Sequence, residues 1–363
     1  MADLELTPAH GGQALLLARL LGRPLSEILD FSASINPLGP PAAALAAAQE
    51  ALAEVQHYPE SDAASLRQAL AAHHGLPEHN LLVGNGSTEL LYLLPRLLQP
   101  RRALIVTPAF SEYRSALQLA GAEVIDWPLP AETGFILSAP ELIAAARSTD
   151  VDMLVVANPG NPTGVGIPPE ELLAVADGLD GRCSLAVDEA FVDFSPRRSL
   201  LTAVPTRRNL FVFRSLTKFY AIPGLRVGFL AGPDAAMALL RPTAPPWSLN
   251  TPALAAARAC LAQADYGAET LRQIPLWRQA LAAGLTDLGC MVQASEANYL
   301  LARLPLSAPD APHLTQQLGS KGILIRDCTN FPPLSGRYIR VAVRKDEENR
   351  QLLTALRSAF VSV

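Results

Sequence analysis

Short apolar runs rich in β-branched residues recur between Ala/Leu-rich stretches, and this alternation narrows the possible folds more than any other feature. The runs are RALIVTP (102–108), DMLVVANP (152–159), SLAVDEA (184–190), NLFVFRSL (209–216) and VGFLAG (227–232). Strand-like runs separated by helical stretches predict a mostly parallel sheet covered by helices, an α/β fold. Ala42 to Val55 and Ala63 to His74 read as amphipathic or buried helices, closed by Tyr/Pro and Gly/Pro signals. After TAPPWSLNTPAL (243–254) the character changes to a long Ala/Leu/Arg-rich helical region. Short strands follow at NYLLARL (298–304), GILIRDC (322–328) and RYIRVAV (337–343). The expected organisation is an N-terminal arm over 1–40, a large domain over 41–249 and a smaller α+β domain over 250–363. The Pro-rich arm is expected to pack on a partner subunit.

At 363 residues, half of them hydrophobic, the chain can bury a sizeable core. Its net charge of −5, without a dense basic stripe, gives no footprint for nucleic acid. Cys183, Cys260, Cys290 and Cys328 are scattered without a C-x-x-C pair, which argues against a zinc site or a disulfide framework. No metal is expected. The N-terminus MADLELTPAHGGQ lacks the basic and apolar regions of a secretory leader, and no run has the length of a membrane span. A cytoplasmic protein with neither nucleic-acid nor membrane partners is expected.

Chemistry-bearing residues cluster where strands end. GNGSTE (84–89) follows an apolar LLV and precedes a helix-like stretch. Its glycines permit a tight turn, and a helix N-terminus there would attract an anion. A phosphate cradle and a plain strand-to-helix connection both fit. ANPGNPTGVG (157–166) places Asn158 and Asn161 in a Pro/Gly turn after a strand, either to meet a ligand or to bond their own backbone. Asp188 ends a buried strand, where a carboxylate needs a cationic partner: a ligand or a structural arginine. Lys218, beside apolar strand ends, is placed for a partly desolvated, nucleophilic amine, although most lysines are solvated surface groups. Ser215, Thr217 and Arg226 offer donors suited to a phosphate.

The order and spacing of these motifs resemble the fold-type-I pyridoxal phosphate (PLP) enzymes. The resemblance spans nearly the whole chain and is to the class I/II aminotransferase superfamily, near its histidinol-phosphate aminotransferase branch. HGG (10–12), LDFSASINPLGPP (29–41), HYPE (57–60), DEAFVDF (188–194) and RSLTKFYAIPGLRVG (214–228) resemble the threonine-phosphate decarboxylases of cobalamin biosynthesis. That family removes CO2 from L-threonine O-3-phosphate to give (R)-1-amino-2-propanol O-2-phosphate.

The resemblance implies that Lys218 carries the cofactor, that Asp188 pairs with its pyridine nitrogen and that Asn161 bonds its ring hydroxyl. Phe110 takes the place of the aromatic that stacks on the ring. Gly86, Ser87, Ser215 and Arg226 are implied for the cofactor phosphate. Tyr58 resembles a tyrosine that reaches this phosphate from the neighbouring subunit, which implies a homodimer. Arg340 aligns with the arginine that binds a substrate carboxylate, and His10, Asn36 and Arg326 are candidates for the substrate phosphate.

Two positions depart from the aminotransferase pattern. Phe191 stands where those enzymes commonly have tyrosine, so one hydrogen bond near the ring oxygen is missing. Arg344 stands where they often have a small residue. Four positions beyond Arg340 in a strand, it is expected either to share that residue's face and pocket or to form a surface salt bridge. Two rivals follow: an aminotransferase of the histidinol-phosphate type, which needs a 2-oxo acid, and a PLP-sensing regulatory module. The second conflicts with the position of HGG, which by residue 12 leaves no expected room for a DNA-binding domain.

Overall fold

The computed structural model describes residues 10–361. The first nine residues of the expected arm lie outside the described residues. Within the rest of the arm, α1 (Ala14–Leu21) precedes a two-residue strand, β1 (Leu29–Asp30). The expected helices form as α2 (Ala42–Ala51) and α3 (Ala64–His74). The large sheet contains β2 (Leu81–Asn85), β3 (Arg102–Thr107), β4 (Glu123–Pro128), β5 (Met153–Ala157), β6 (Ser184–Asp188), β7 (Leu210–Ser215) and β8 (Val227–Ala231).

Its strand order is β2-β8-β7-β6-β5-β3-β4. β8 runs antiparallel to both neighbours, and the remaining pairs are parallel. The central strands β5 and β7 are buried along their whole length. Both faces of the sheet are covered, so their sequences are continuous apolar runs rather than alternating ones. Successive residues then divide between the two layers. Ala103, Ile105, Met153 and Val155 pack in one core cluster with Leu90 and Leu94 of α4 (Gly86–Leu98) and Tyr113 of α5 (Ser111–Leu119). Leu104, Val106, Leu154 and Val156 face the larger cluster on the other side.

Near residue 250, where the smaller domain is expected to begin, the packing crosses the expected boundary. Helix α6 (Thr251–Leu261) packs on α2 and α3, so it groups with the large layer although it follows residue 250. Its small residues Ala253, Ala256 and Ala257 are fully buried and permit close helix approach. The long α7 (Ala264–Asp287) marks the passage to the second unit. There β9 (Met291–Val292), β10 (Tyr299–Arg303), β12 (Arg326–Asp327) and β13 (Tyr338–Ala342) form an antiparallel sheet in the order β12-β13-β10-β9, and α8 (Asp346–Val361) packs against α7.

The described part of the arm docks on its own small domain. β1 pairs in parallel with β11 (Ile323–Leu324), the Phe31 N–H donates to Leu324, and the Ala342 N–H donates to Phe31. The run Ile28 to Phe31 supplies two buried apolar side chains, Ile28 and Phe31, which explains the docking. Among the described residues no helix is long and apolar enough to cross a membrane.

Candidate active site

The carboxyl ends of the parallel strands open onto a cavity of about 550 Å³, at the position where open α/β sheets bind ligands. β6 ends in Asp188, and β7 runs into a four-residue helical turn, Leu216–Phe219, that carries Lys218. Lys218, Asp188, Asn161 and Phe110 line the cavity. Burial, reinforced by the guanidiniums of Arg226 and Arg340 and opposed by Asp188, pushes the Lys218 amine down to about 8. About a tenth of the amine is therefore neutral at pH 7, far more than for an ordinary lysine, as a nucleophilic amine requires.

Asp188 is buried, and burial raises its pKa against the opposing effect of its hydrogen bonds and of Lys218. Its Oδ2 accepts from the Tyr113 hydroxyl at 2.6 Å, and its Oδ1 accepts from the Ala190 N–H at 2.9 Å. Tyr113 is fully buried against it, which raises the phenol's pKa well above its ordinary value and keeps it a donor. A carboxylate fixed in this way can hold a positively charged ring nitrogen.

The turn between β2 and α4 forms an anion site. Gly86 has φ +71°, a left-handed conformation that favours glycine, and a Cβ there would press on the Arg226 guanidinium at 2.6 Å. The Gly86 N–H donates to the Arg226 carbonyl, which ties the two segments together. Ser87, Thr88 and Arg226 reach the cavity wall at the positive end of a 13-residue helix. Ser215 lies behind them, fully buried, its hydroxyl 2.7 Å from that of Thr217. A phosphate fits this donor set, and the cavity beside it accommodates an aromatic ring next to Phe110.

A second cationic region lies across the cavity. Arg326 on β12 and Arg340 on β13 are register partners, and both are buried. Arg340 donates to Asn161 Oδ1 at 2.5 Å and to the Ser32 carbonyl at 3.0 Å, while its buried Nε has no partner among the described residues. Both acceptors are neutral. Arg340 lies 5.1 Å from the Tyr299 ring centroid and Arg326 lies 5.0 Å from that of Phe331. Arg326 also donates to Asn330. Burial and the neighbouring Arg340 lower the Arg326 pKa to about 10. Two adjacent buried guanidiniums concentrate positive charge on this wall, which attracts an anionic group.

Some expected residues stand elsewhere. Asn36 is buried, and its amide donates to the Phe219 carbonyl and to the Thr270 hydroxyl while its Oδ1 accepts from the Leu38 N–H. Its backbone N–H also bonds the Lys218 carbonyl, so it braces the Lys218 turn instead of facing a ligand. Arg344 lies beyond the end of β13, where strand alternation no longer applies. Its guanidinium is held by Glu348 at 2.5 Å and does not line the cavity. Asn158 bonds the backbone of Ile167 and Arg198 and shapes the turn only. Tyr58 is 83% exposed, lies tilted against the Trp247 ring at 4.9 Å between centroids and does not line the cavity of its own chain.

His10 lies at the mouth, its ring 5.6 Å from that of Phe110. Phe191 lines the wall edge-on to Tyr299, whose hydroxyl donates to the Gly160 carbonyl at 2.6 Å. The sequence reading missed Tyr113, Ser32 and Tyr299. Tyr113 carried a signal, since it stands three positions beyond Phe110 at a helix start and shares that residue's side.

The family Aminotransferase class I and II matches residues 26–356, and the chain belongs to it. Among its relatives, the threonine-phosphate decarboxylase of Salmonella typhimurium is 40% identical over 98% of this chain and 97% of that protein. The crystal structure of L-threonine-O-3-phosphate decarboxylase from Porphyromonas gingivalis superposes with a TM-score of 0.82 at 27% identity, covering 93% of this chain and all of that one. Histidinol-phosphate aminotransferase from Sinorhizobium meliloti, solved in complex with pyridoxal-5'-phosphate, gives 0.88 at 25% identity and 99% coverage of both chains.

Proposed function

We propose that this chain decarboxylates L-threonine O-3-phosphate to (R)-1-amino-2-propanol O-2-phosphate in cobalamin biosynthesis, with pyridoxal 5'-phosphate as cofactor. The observation that carries the substrate reading is the buried pair Arg326 and Arg340 facing Lys218 across one cavity. A substrate with a carboxylate and a phosphate complements the charge of both guanidiniums.

Bound pyridoxal phosphate supplies the electron sink for the pair released when CO2 leaves Cα. Gly86, Ser87, Ser215 and Arg226 hold its phosphate, Phe110 and Asn161 orient its ring, and Asp188 holds a positive charge at its nitrogen. Lys218 would provide the amine that holds the cofactor, and the same amine is placed to return a proton to Cα. Arg340 takes the substrate carboxylate, and Arg326 with His10 takes its phosphate. Clamping both ends would fix the orientation of the substrate about Cα, and so which of its bonds breaks.

The exposed Tyr58 supports a homodimer in which this side chain reaches the phosphate site of the second copy. Lys218→Ala tests the assignment. It is expected to abolish both product formation and the visible absorbance of the lysine-bound cofactor. Full turnover in that variant would overturn it.

A further inference from the structure

We propose that Glu112 is a positioning residue for the substrate phosphate: it fixes the His10 imidazole at the cavity mouth. The inference rests on the reading that His10 touches that phosphate. The backbone around His10 is pinned. A Cβ at Gly11 would fall 2.1 Å from the Ser32 carbonyl oxygen, and the Gly12 N–H donates to Ser32 Oγ at 2.9 Å. These contacts place the loop but leave the His10 ring, 49% exposed, free to turn about its side-chain bonds.

Two groups restrain the ring. Phe110 lies against it at a 58° tilt, and Glu112 Oε1 lies 3.1 Å from Nε2. A ring face alone does not set which nitrogen points where; a carboxylate on Nε2 does, and it leaves Nδ1 as the nitrogen for a ligand. The carboxylate is itself anchored. Glu112 sits in the first turn of α5, where the helix dipole favours an anion, and its Oε2 accepts from the Tyr92 hydroxyl at 2.5 Å. Tyr92 belongs to α4, the helix whose N-terminus forms the phosphate cradle. One chain of bonds, Tyr92 to Glu112 to His10, therefore sets the imidazole against two helices of the large domain.

A double-mutant cycle on the cofactor-loaded enzyme with L-threonine O-3-phosphate tests this. His10→Ala is expected to raise KM about tenfold, the order of one charge-assisted hydrogen bond. Glu112→Ala is expected to raise it about fivefold with kcat within twofold, and Glu112→Gln, which keeps one acceptor oxygen, less. In the His10→Ala background the Glu112 substitutions should add nothing. Multiplicative losses, or a wild-type KM in Glu112→Ala beside a raised one in His10→Ala, would overturn the role of Glu112 and leave His10 in place. An unchanged KM in His10→Ala would remove the underlying reading, and Glu112 with it. If Glu112→Ala does not fold, Tyr92→Phe loosens the same carboxylate: a two- to threefold rise in KM that disappears in His10→Ala supports the proposal, and a rise that persists there refutes it.

Discussion

Holding Lys218 ready for chemistry has a cost in stability that can be measured. Its amine has an ordinary pKa of 10.5, and burial together with Arg226 and Arg340 brings it to about 8 in the folded protein. The unfolded chain therefore keeps this proton to higher pH than the folded chain does. Between about 8 and 10.5 the unfolded state binds more protons, so stability rises with pH across that window. Below 8 the full cost is carried. At about 1.4 kcal/mol per pH unit the shift corresponds to roughly 3 kcal/mol, and solvent entering the open cavity reduces this to about 1–3 kcal/mol.

Lys218→Met keeps the length and removes the charge. In the cofactor-free protein, urea unfolding at pH 7 should find the Met variant more stable by about 1–3 kcal/mol. Measured again near pH 10.5, the gap between the two proteins should shrink by the same amount, because the wild-type lysine is then largely neutral. Comparing the two proteins at each pH cancels the other titrating groups. A gap that stays constant with pH, or a Met variant no more stable at pH 7, would refute the account of Lys218.

Other consequences follow from named contacts. Tyr113→Phe removes one of the two donors that fix Asp188, and kcat is expected to fall about tenfold in steady-state assays while KM holds. Arg344→Ala should leave KM for L-threonine O-3-phosphate within about 1.5-fold of wild type, and should cost at most about 1 kcal/mol in urea unfolding, because Glu348 holds its guanidinium away from the cavity. Asn36→Ala should lower stability by about 1–3 kcal/mol, measured by urea unfolding, because the Phe219 carbonyl and the Thr270 hydroxyl lose a buried donor.

What the sequence revealed depended on how local the cause was. The central strands were readable because burial on both faces makes β5 and β7 continuous apolar runs. Asp188 and Lys218 stood out as charged groups at the ends of such runs, and the cavity brings them together. Asn36 misled because its amide finds Phe219 and Thr270 at separations of 183 and 234 residues, partners that no local pattern announces. For Arg344 the sequence left a shared pocket and a salt bridge open, and the salt bridge forms because β13 ends at Ala342, after which the i, i+4 partner Glu348 holds it at the start of α8. Glu112 meets His10 only through folding, since the loop and α5 are far apart in the chain. The docking of β1 on β11 likewise joins distant segments, so an arm that reads as separate becomes part of the small domain's flank.

The most direct measurement incubates the purified protein with pyridoxal 5'-phosphate and L-threonine O-3-phosphate, with no 2-oxo acid present, and follows CO2 and aminopropanol phosphate together. The account expects the two products in equal amounts over many turnovers. No CO2 under these conditions, with histidinol phosphate converted once 2-oxoglutarate is added, would contradict it and assign the chain to the aminotransferases of its family.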